Sequence, residues 1–439
     1  MKSKYKHIFL AWLPLGVMYI VMAAEQPVVN GVISRLPDAV NQLASFGYAF
    51  SLALLIEGPV VQMLSAGTAV SGTYSSYKKI LKVMHWLTVI TLSVHLLFCI
   101  PGVFRGFALH VMNLPQPLID QAWKCFVFMI PWTPCIGYRR LWQGVLIKHG
   151  KSILAPIVMY VRLAFAFLFL YLGYTFQPLE GASLGGAIMG MVAVVGMGMA
   201  FLLSRPIIHS LKKEYFDILK NTKTVLKDEN ELSYRQMVRF YFPLAITSMV
   251  SLGVRPILNF GIPRGSFPIE SLAAWPIVLS YVSLYTAVSQ SQQEIVIAEM
   301  SKASYKLLQR FVTVVAFAIT ALFLINWFVI PFRTIIFQNI FGLPQQLNKF
   351  LPIAIAILSP LGFFAAKISW YRGVFISRQQ TKTITAGIIV NLCTLLLFII
   401  VLPIVTNLAG VYIATIAYTA SFISEFFFLS IQLRLSFSI

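Results

Sequence analysis

Residues 14–30 read PLGVMYIVMAAEQPVVN, and residues 243–259 read PLAITSMVSLGVRPILN. The second stretch repeats the first at a shift of 229 residues. Pro14-Leu15 falls on Pro243-Leu244, Pro27 on Pro256 and Asn30 on Asn259. The same shift holds outward from these blocks. Leu43-Ala44 falls on Leu272-Ala273 and Ser51 on Ser280. Farther along, with no slip, Pro131 falls on Pro360, Gly144-Val145 on Gly373-Val374 and Ile147 on Ile376. One offset held over so long a stretch marks two equivalent halves. Many secondary transporters are built this way, with the substrate site between the halves.

Composition places those halves in a membrane. Hydrophobic residues make up 58% of the chain and charged residues 11%, too few for an ordinary soluble surface. Twelve apolar runs reach bilayer-spanning length. They cover roughly 8–30, 40–68, 83–103, 117–147, 153–175, 182–205, 236–260, 268–299, 308–331, 347–377, 383–404 and 408–433. The first follows Lys2, Lys4 and Lys6 like a signal peptide, but it lacks a convincing cleavage site and is read as a retained span. The expected fold is an all-α polytopic membrane protein, with twelve transmembrane helices in two pseudo-symmetric six-helix lobes. Residues 1–205 form the first lobe, 206–232 a polar cytoplasmic linker and 233–439 the second lobe. An even number of spans separates the lobes, so they are parallel repeats about an axis along the membrane normal.

A net charge of +20 points at first to nucleic acid. Its placement points to topology instead. Lys78, Lys79, Lys148, Lys151, Lys212, Lys213, Lys306 and Lys382 lie in the even-numbered loops. The odd loops hold few basic residues: Arg35, Arg105, Lys124, Arg264, Arg333 and Lys349. This asymmetry predicts both termini in the cytoplasm, in the cytoplasmic (inner) membrane, with the lipid bilayer rather than nucleic acid as surroundings. A monomer is expected.

No soluble enzyme site is visible. Gly150-Lys151-Ser152 lacks the upstream glycine of a phosphate-binding loop, since Val145 stands there. The histidines form no metal-spaced set, and Cys99, Cys125, Cys135 and Cys393 are spaced as neither ligands nor disulfides. No metal, cofactor or catalytic residue is expected. Transport would then run on gradients, with a proton or sodium as coupling ion. The glycines of the sixth span, with Gly186 and Gly190 one turn apart, read as close helix packing. Pro14, Pro27, Pro131, Pro243, Pro256 and Pro360 interrupt spans at matching places, as plain kinks or as openings that line a cavity.

The charges inside the spans are the functional signal. An ionised side chain at membrane depth costs at least about 2.5–3.5 kcal/mol, so it usually faces a cavity or a partner. Arg139, Arg140, Arg162, Arg255, Lys367 and Arg372 are the basic residues in the spans. Glu25 and Glu57 are the deepest acids. The excess of cations favours an anionic substrate, because guanidinium forks match phosphate and carboxylate. Arg255 is the repeat counterpart of Gln26, next to Glu25, so Glu25 and Arg255 are expected to approach across the pseudo-axis. The plainer alternative is that Glu25 or Glu57 neutralises one arginine as a structural pair. Arg139 and Lys367 are further candidates for binding substrate, whereas Arg140 and Arg372 are expected to snorkel or to pair. Glu25 and Glu57 are the candidate ion-coupling residues, since a carboxylate in an apolar cavity favours taking up a proton.

Twelve spans in two sixfold halves resemble the multidrug and toxic compound extrusion (MATE) class of the MOP superfamily. One branch is closer. Pro14-Leu15-Gly16, Glu25-Gln26, Asp38-Ala39-Val40 and Leu43-Ala44-Ser45 are similar to the start of the progressive ankylosis protein family. So are Phe242-Pro243-Leu244-Ala245 and Arg255-Pro256-Ile257-Leu258-Asn259. Regulation through the long polar tail of animal members is not expected to carry over. The resemblance implies an exporter of small multivalent anions, with pyrophosphate, nucleoside triphosphate and citrate the associated substrates. It implies that Glu25, Gln26, Arg255 and Asn259 line the cavity, and Asn30 joins them as the counterpart of Asn259. The rivals are a cation-drug antiporter, a lipid-linked precursor flippase and an anion channel. An intramembrane enzyme would need a catalytic set that is missing.

Overall fold

The computed structural model describes residues 2–221, 233–300, 304–378 and 380–437. They form helices throughout, with no strand beyond one isolated bridge, Ser266 to Ala409, among the described residues. The first half contains α1 (Lys2–Ile33), α2 (Ala39–Glu57), α3 (Met63–Val70), α4 (Tyr74–Cys99), α5 (Pro101–Gly106), α6 (Gln116–Phe128), α7 (Trp132–Lys148), α8 (Leu154–Phe176) and α9 (Gly181–Asn221). The second half contains α10 (Tyr234–Gly261), α11 (Pro268–Glu299), α12 (Tyr305–Phe328), α13 (Ile330–Thr334), α14 (Leu351–Leu358), α15 (Leu361–Ser377), α16 (Thr381–Val405) and α17 (Gly410–Phe437).

Eleven segments among the described residues are long and apolar enough to cross a bilayer. The remaining expected span is α6 and α7, interrupted at Pro131 as its counterpart, α14 and α15, is at Pro360. Pro131 lacks the backbone N–H that a continuous helix needs, and it ends up capping α7. Its counterpart Pro360 caps α15 with nearly the same backbone angles. Pro27, Pro243 and Pro256 break nothing, because α1 and α10 run through them. The polar stretch also differs from a free linker at its start. α9 continues past Pro206 to Asn221, while 222–232 lie outside the described residues.

The bundle presents Trp86, Val89, Ile90, Phe167, Ile400 and Ile404 outward, an apolar belt that only lipid can cover favourably. α1 begins, α9 ends and α10 begins on one face, here called the basic face. The turns after α1 and α10 lie on the opposite face. The entry half of each lobe's first helix packs on the other lobe. Ile8 and Trp12 of α1 join a core with Ile295, Phe311 and Trp370, and Trp12 Nε1 donates to Ser291 Oγ at 2.8 Å. Met237 and Tyr241 of α10 join one with Val60, Met84 and Leu141, and the Tyr241 hydroxyl donates to the Pro59 carbonyl at 2.5 Å.

Candidate functional site

Two layers of contacts join the lobes. The first lies toward the opposite face and obeys the repeat. Asn30 Nδ2 donates to the Pro276 carbonyl at 3.1 Å and to Ser280 Oγ at 3.2 Å. Asn259 Nδ2 donates to the Gly47 carbonyl at 3.3 Å and to Ser51 Oγ at 2.8 Å. Every partner is the other's counterpart at the same shift of 229. α2 and α11 cross between these ties so closely that a Cβ on Gly47 would sit 2.2 Å from Pro276 Cγ. Farther out, Arg35 donates to the carbonyls of Gly31 and Asn339, and Arg264 donates to those of Phe260 and Val111. Each arginine straps its own helix to the other lobe's short π-helix, Ile335–Ile340 or Phe107–Val111. Together these contacts tie the two lobes on the opposite face.

The second layer surrounds a central cavity of about 370 Å³, on the basic-face side of the asparagine ties. Six helices, α1, α2, α7, α8, α10 and α11, supply most of its wall, and Tyr418 of α17 adds a ring. Its ionisable lining consists of Glu25, Glu57, Arg139, Arg140, Arg162 and Arg255, with Tyr19 and Tyr418. Four guanidinium groups therefore face two carboxylates.

The contacts among them form a closed ring. Glu25 Oε2 lies 2.8 Å from Arg162 Nη2, an ion pair in which both residues are at least nine-tenths buried. The N–H does not point along that contact, so it is an ion pair rather than a formed hydrogen bond. The Arg162 guanidinium stacks over the Trp132 ring at 5.0 Å, and Trp132 Nε1 donates to Glu57 Oε2 at 2.7 Å. Trp132 meets Phe50 edge-on at 5.7 Å, and Phe50 lies under the Arg255 guanidinium, also at 5.7 Å. Arg255 Nη1 donates to Gln26 Oε1 at 3.0 Å, which returns the ring to the residue after Glu25. Cation–π contacts of this kind contribute about 0.5–2 kcal/mol each, more where water is excluded. Arg139 rests against this ring, with Nη1 at 2.9 Å from Met159 Sδ, a weak acceptor.

An excess of guanidinium over carboxylate groups is the chemical character of the cavity. The Nε atoms of Arg139, Arg140 and Arg162 are buried without an acceptor in the protein. A buried donor left unpaired is costly, so such a cluster favours an acceptor-rich guest. Multivalent oxyanions provide several oxygens at once.

Of the residues expected to form the site, the fold brings Glu25, Gln26, Glu57, Arg139 and Arg255 to one cavity. Asn30 and Asn259 lie outside it, spent on the lobe ties. Lys367 is also outside. Its Nζ reaches Thr313 Oγ1 at 2.5 Å and lies over the Phe363 ring. Glu25 and Arg255 line the same cavity, where the Glu25 carboxylate meets Arg162 and Arg255 meets Gln26. Arg140 does not snorkel but lines the cavity, whereas Arg372 pairs with Glu425 at 3.0 Å through Nε. Trp132 and Phe50 were not legible as site residues, and Arg162 carried no role. One signal was available. Glu57, Trp132, Arg139, Arg140 and Arg162 align at the 229 shift with Thr286, Leu361, Ile368, Ser369 and Asn391. The cavity chemistry sits where the repeat is broken.

Residues 1–215 match the model of the progressive ankylosis protein (ANKH) family. The chain is also similar to an inward-facing multidrug resistance MATE family transporter of the MOP superfamily, with TM-score 0.67 and 13% identity over 96% of this chain and 98% of that one. An outward-facing structure described in the same words gives 0.57 and 12%, over 97% and 96%. The lipid II flippase MurJ, inward closed, gives 0.66 and 11%, over 97% and 87%. At these identities the likeness establishes the fold, which is MATE-like.

Proposed function

We propose that this protein is a secondary active transporter that exports small multivalent anions of the citrate, ATP or pyrophosphate class. One observation carries the reading: four arginines converge on one inter-lobe cavity against two glutamates. Arg139, Arg140, Arg162 and Arg255 would hold the anion, Gln26 would position Arg255, and Glu25 and Glu57 would couple transport to a proton or sodium. The family match over residues 1–215 supports the same anion class.

With the basic face in the cytoplasm of an inner membrane, the cavity lies on the cytoplasmic side of the lobe ties. That is a loading state, and the closer superposition on an inward-facing MATE family transporter than on an outward-facing one agrees. Alternating access would break the asparagine and arginine ties and close the lobes on the basic side.

A second reading, flipping of a lipid-linked anion, is favoured by an apolar groove of about 620 Å³ between α1, α8 and α11, lined by Pro27, Gly31, Leu170, Tyr171, Tyr174 and Tyr285. Efflux from proteoliposomes loaded in turn with citrate, ATP, pyrophosphate, a lipid-linked pyrophosphate and ethidium, with and without a pH gradient, separates the readings. Saturable anion efflux that is weakened in Arg255→Ala supports the exporter. Movement of the lipid-linked substrate alone supports the flippase. Ethidium movement without anion flux overturns both, and flux that never saturates marks a channel.

A further inference from the structure

We infer that Glu25 is a tethered stand-in for the substrate: its carboxylate occupies Arg162 when the cavity holds no anion, and an arriving anion displaces it. The inference rests on the anion-transport reading and deepens it.

The geometry is that of a competitor. A substrate carboxylate or phosphate oxygen would be expected about 2.8 Å from a guanidinium nitrogen. Glu25 Oε2 already holds that place on Arg162 Nη2. The contact is not a finished structural pair. Glu25 Oε1, Arg162 Nε and Arg162 Nη2 are buried and make no hydrogen bond within the protein. Elsewhere in the same fold a structural pair is finished. Glu425 takes Arg372 Nε and Nη2 on one oxygen and Asn391 Nδ2 on the other, at 3.0 Å. Glu25 is therefore replaceable in a way that Glu425 is not.

Displacement also has a mechanical consequence. Glu25 and Gln26 are neighbours on α1, and they hold one arginine from each lobe, Arg162 of α8 and Arg255 of α10. An anion that takes Arg162 from Glu25 and Arg255 from Gln26 releases both of the cavity contacts that α1 makes to these arginines in one step. The same anion then bridges the two arginines. Loading would loosen the helix that must move for the lobes to rock, while an empty cavity stays clamped. Gln26 alone cannot do this, since a neutral amide does not compete with an anion for charge.

The test is isothermal titration of citrate and of pyrophosphate into the full chain in nanodiscs, as wild type, Glu25→Gln, Glu25→Asp and Arg162→Gln, with proteoliposome efflux measured beside it. Removing a competing carboxylate should tighten binding by about tenfold or more, each factor of ten being about 1.4 kcal/mol. Glu25→Gln should therefore bind more tightly and export more slowly, Glu25→Asp should fall between, and Arg162→Gln should bind at least about tenfold more weakly. Equal or weaker binding in Glu25→Gln, with Arg162→Gln still impaired, overturns the inference and leaves the anion reading intact. Anion binding by none of the four proteins overturns the anion reading itself. Should Glu25→Gln fail to fold, unchanged affinity in Glu25→Asp overturns the inference on its own.

Discussion

The two halves share a backbone plan but not a chemistry. At the lobe ties they behave as copies. Asn30 and Asn259, Arg35 and Arg264, and the two short π-helices each do in one half what the counterpart does in the other. At the cavity the halves part. The first contributes Glu25, Glu57, Trp132, Arg139, Arg140 and Arg162. The second contributes Arg255 with Ser283, Thr286, Gln290 and Tyr418. The ionic cluster of the second half, Arg372 with Glu425 and Asn391, satisfies itself away from the cavity. Symmetry is kept where two lobes must grip and release each other along an axis. It is given up where an asymmetric guest must be held.

The largest effect should come from making the first half resemble the second. Arg162→Asn installs the counterpart residue and leaves Glu25 buried without its partner. Breaking a buried pair from one side costs about 3–5 kcal/mol, so purified protein should lose thermal stability and anion efflux should fall more than tenfold. Adding Glu25→Gln should restore stability but not efflux. Restored efflux would mean that Arg162 only neutralises Glu25.

Arg255→Ala removes the cation that the described residues of the second half bring to the cavity. Efflux should fall about tenfold, mainly through a higher KM, because three arginines remain opposite. An unchanged KM would place the substrate wholly on the first half.

The ties offer a test of equality. Asn30→Leu and Asn259→Leu each delete one tie between the lobes, at about 0.5–1.5 kcal/mol per hydrogen bond. Spin labels on the opposite face should report wider distances in both variants, by the same amount. Unequal shifts would break the proposed equivalence.

Lys367→Met should change least. Its ammonium group is occupied at Thr313 outside the cavity, so efflux should stay within about twofold of wild type. A larger loss would mean that this lysine enters the cavity in another state of the cycle.

The repeat made Gln26 and Arg255 visible as counterparts, and they do touch. It also drew attention to Asn30 and Asn259, which it places correctly as a pair. What they bind is set by the crossing of α2 and α11, which no local pattern reveals. Arg162 was visible as a charge in an apolar span. Its partner was not, because α1 and α8 lie far apart in the chain. Trp132 and Phe50 looked like ordinary core aromatics, and only the arginines stacked on them reveal another use.

The amino-acid sequence by itself determined that this chain crosses a membrane many times, in two halves of common origin, with an excess of cations at membrane depth. Those properties follow from hydrophobicity, period and composition, which are additive along the chain. The tertiary structure decided which carboxylate meets which arginine, which asparagines tie lobes and which donors stay free. Such pairings depend on distances of a few ångströms between helices more than a hundred residues apart, and only the packed bundle sets them.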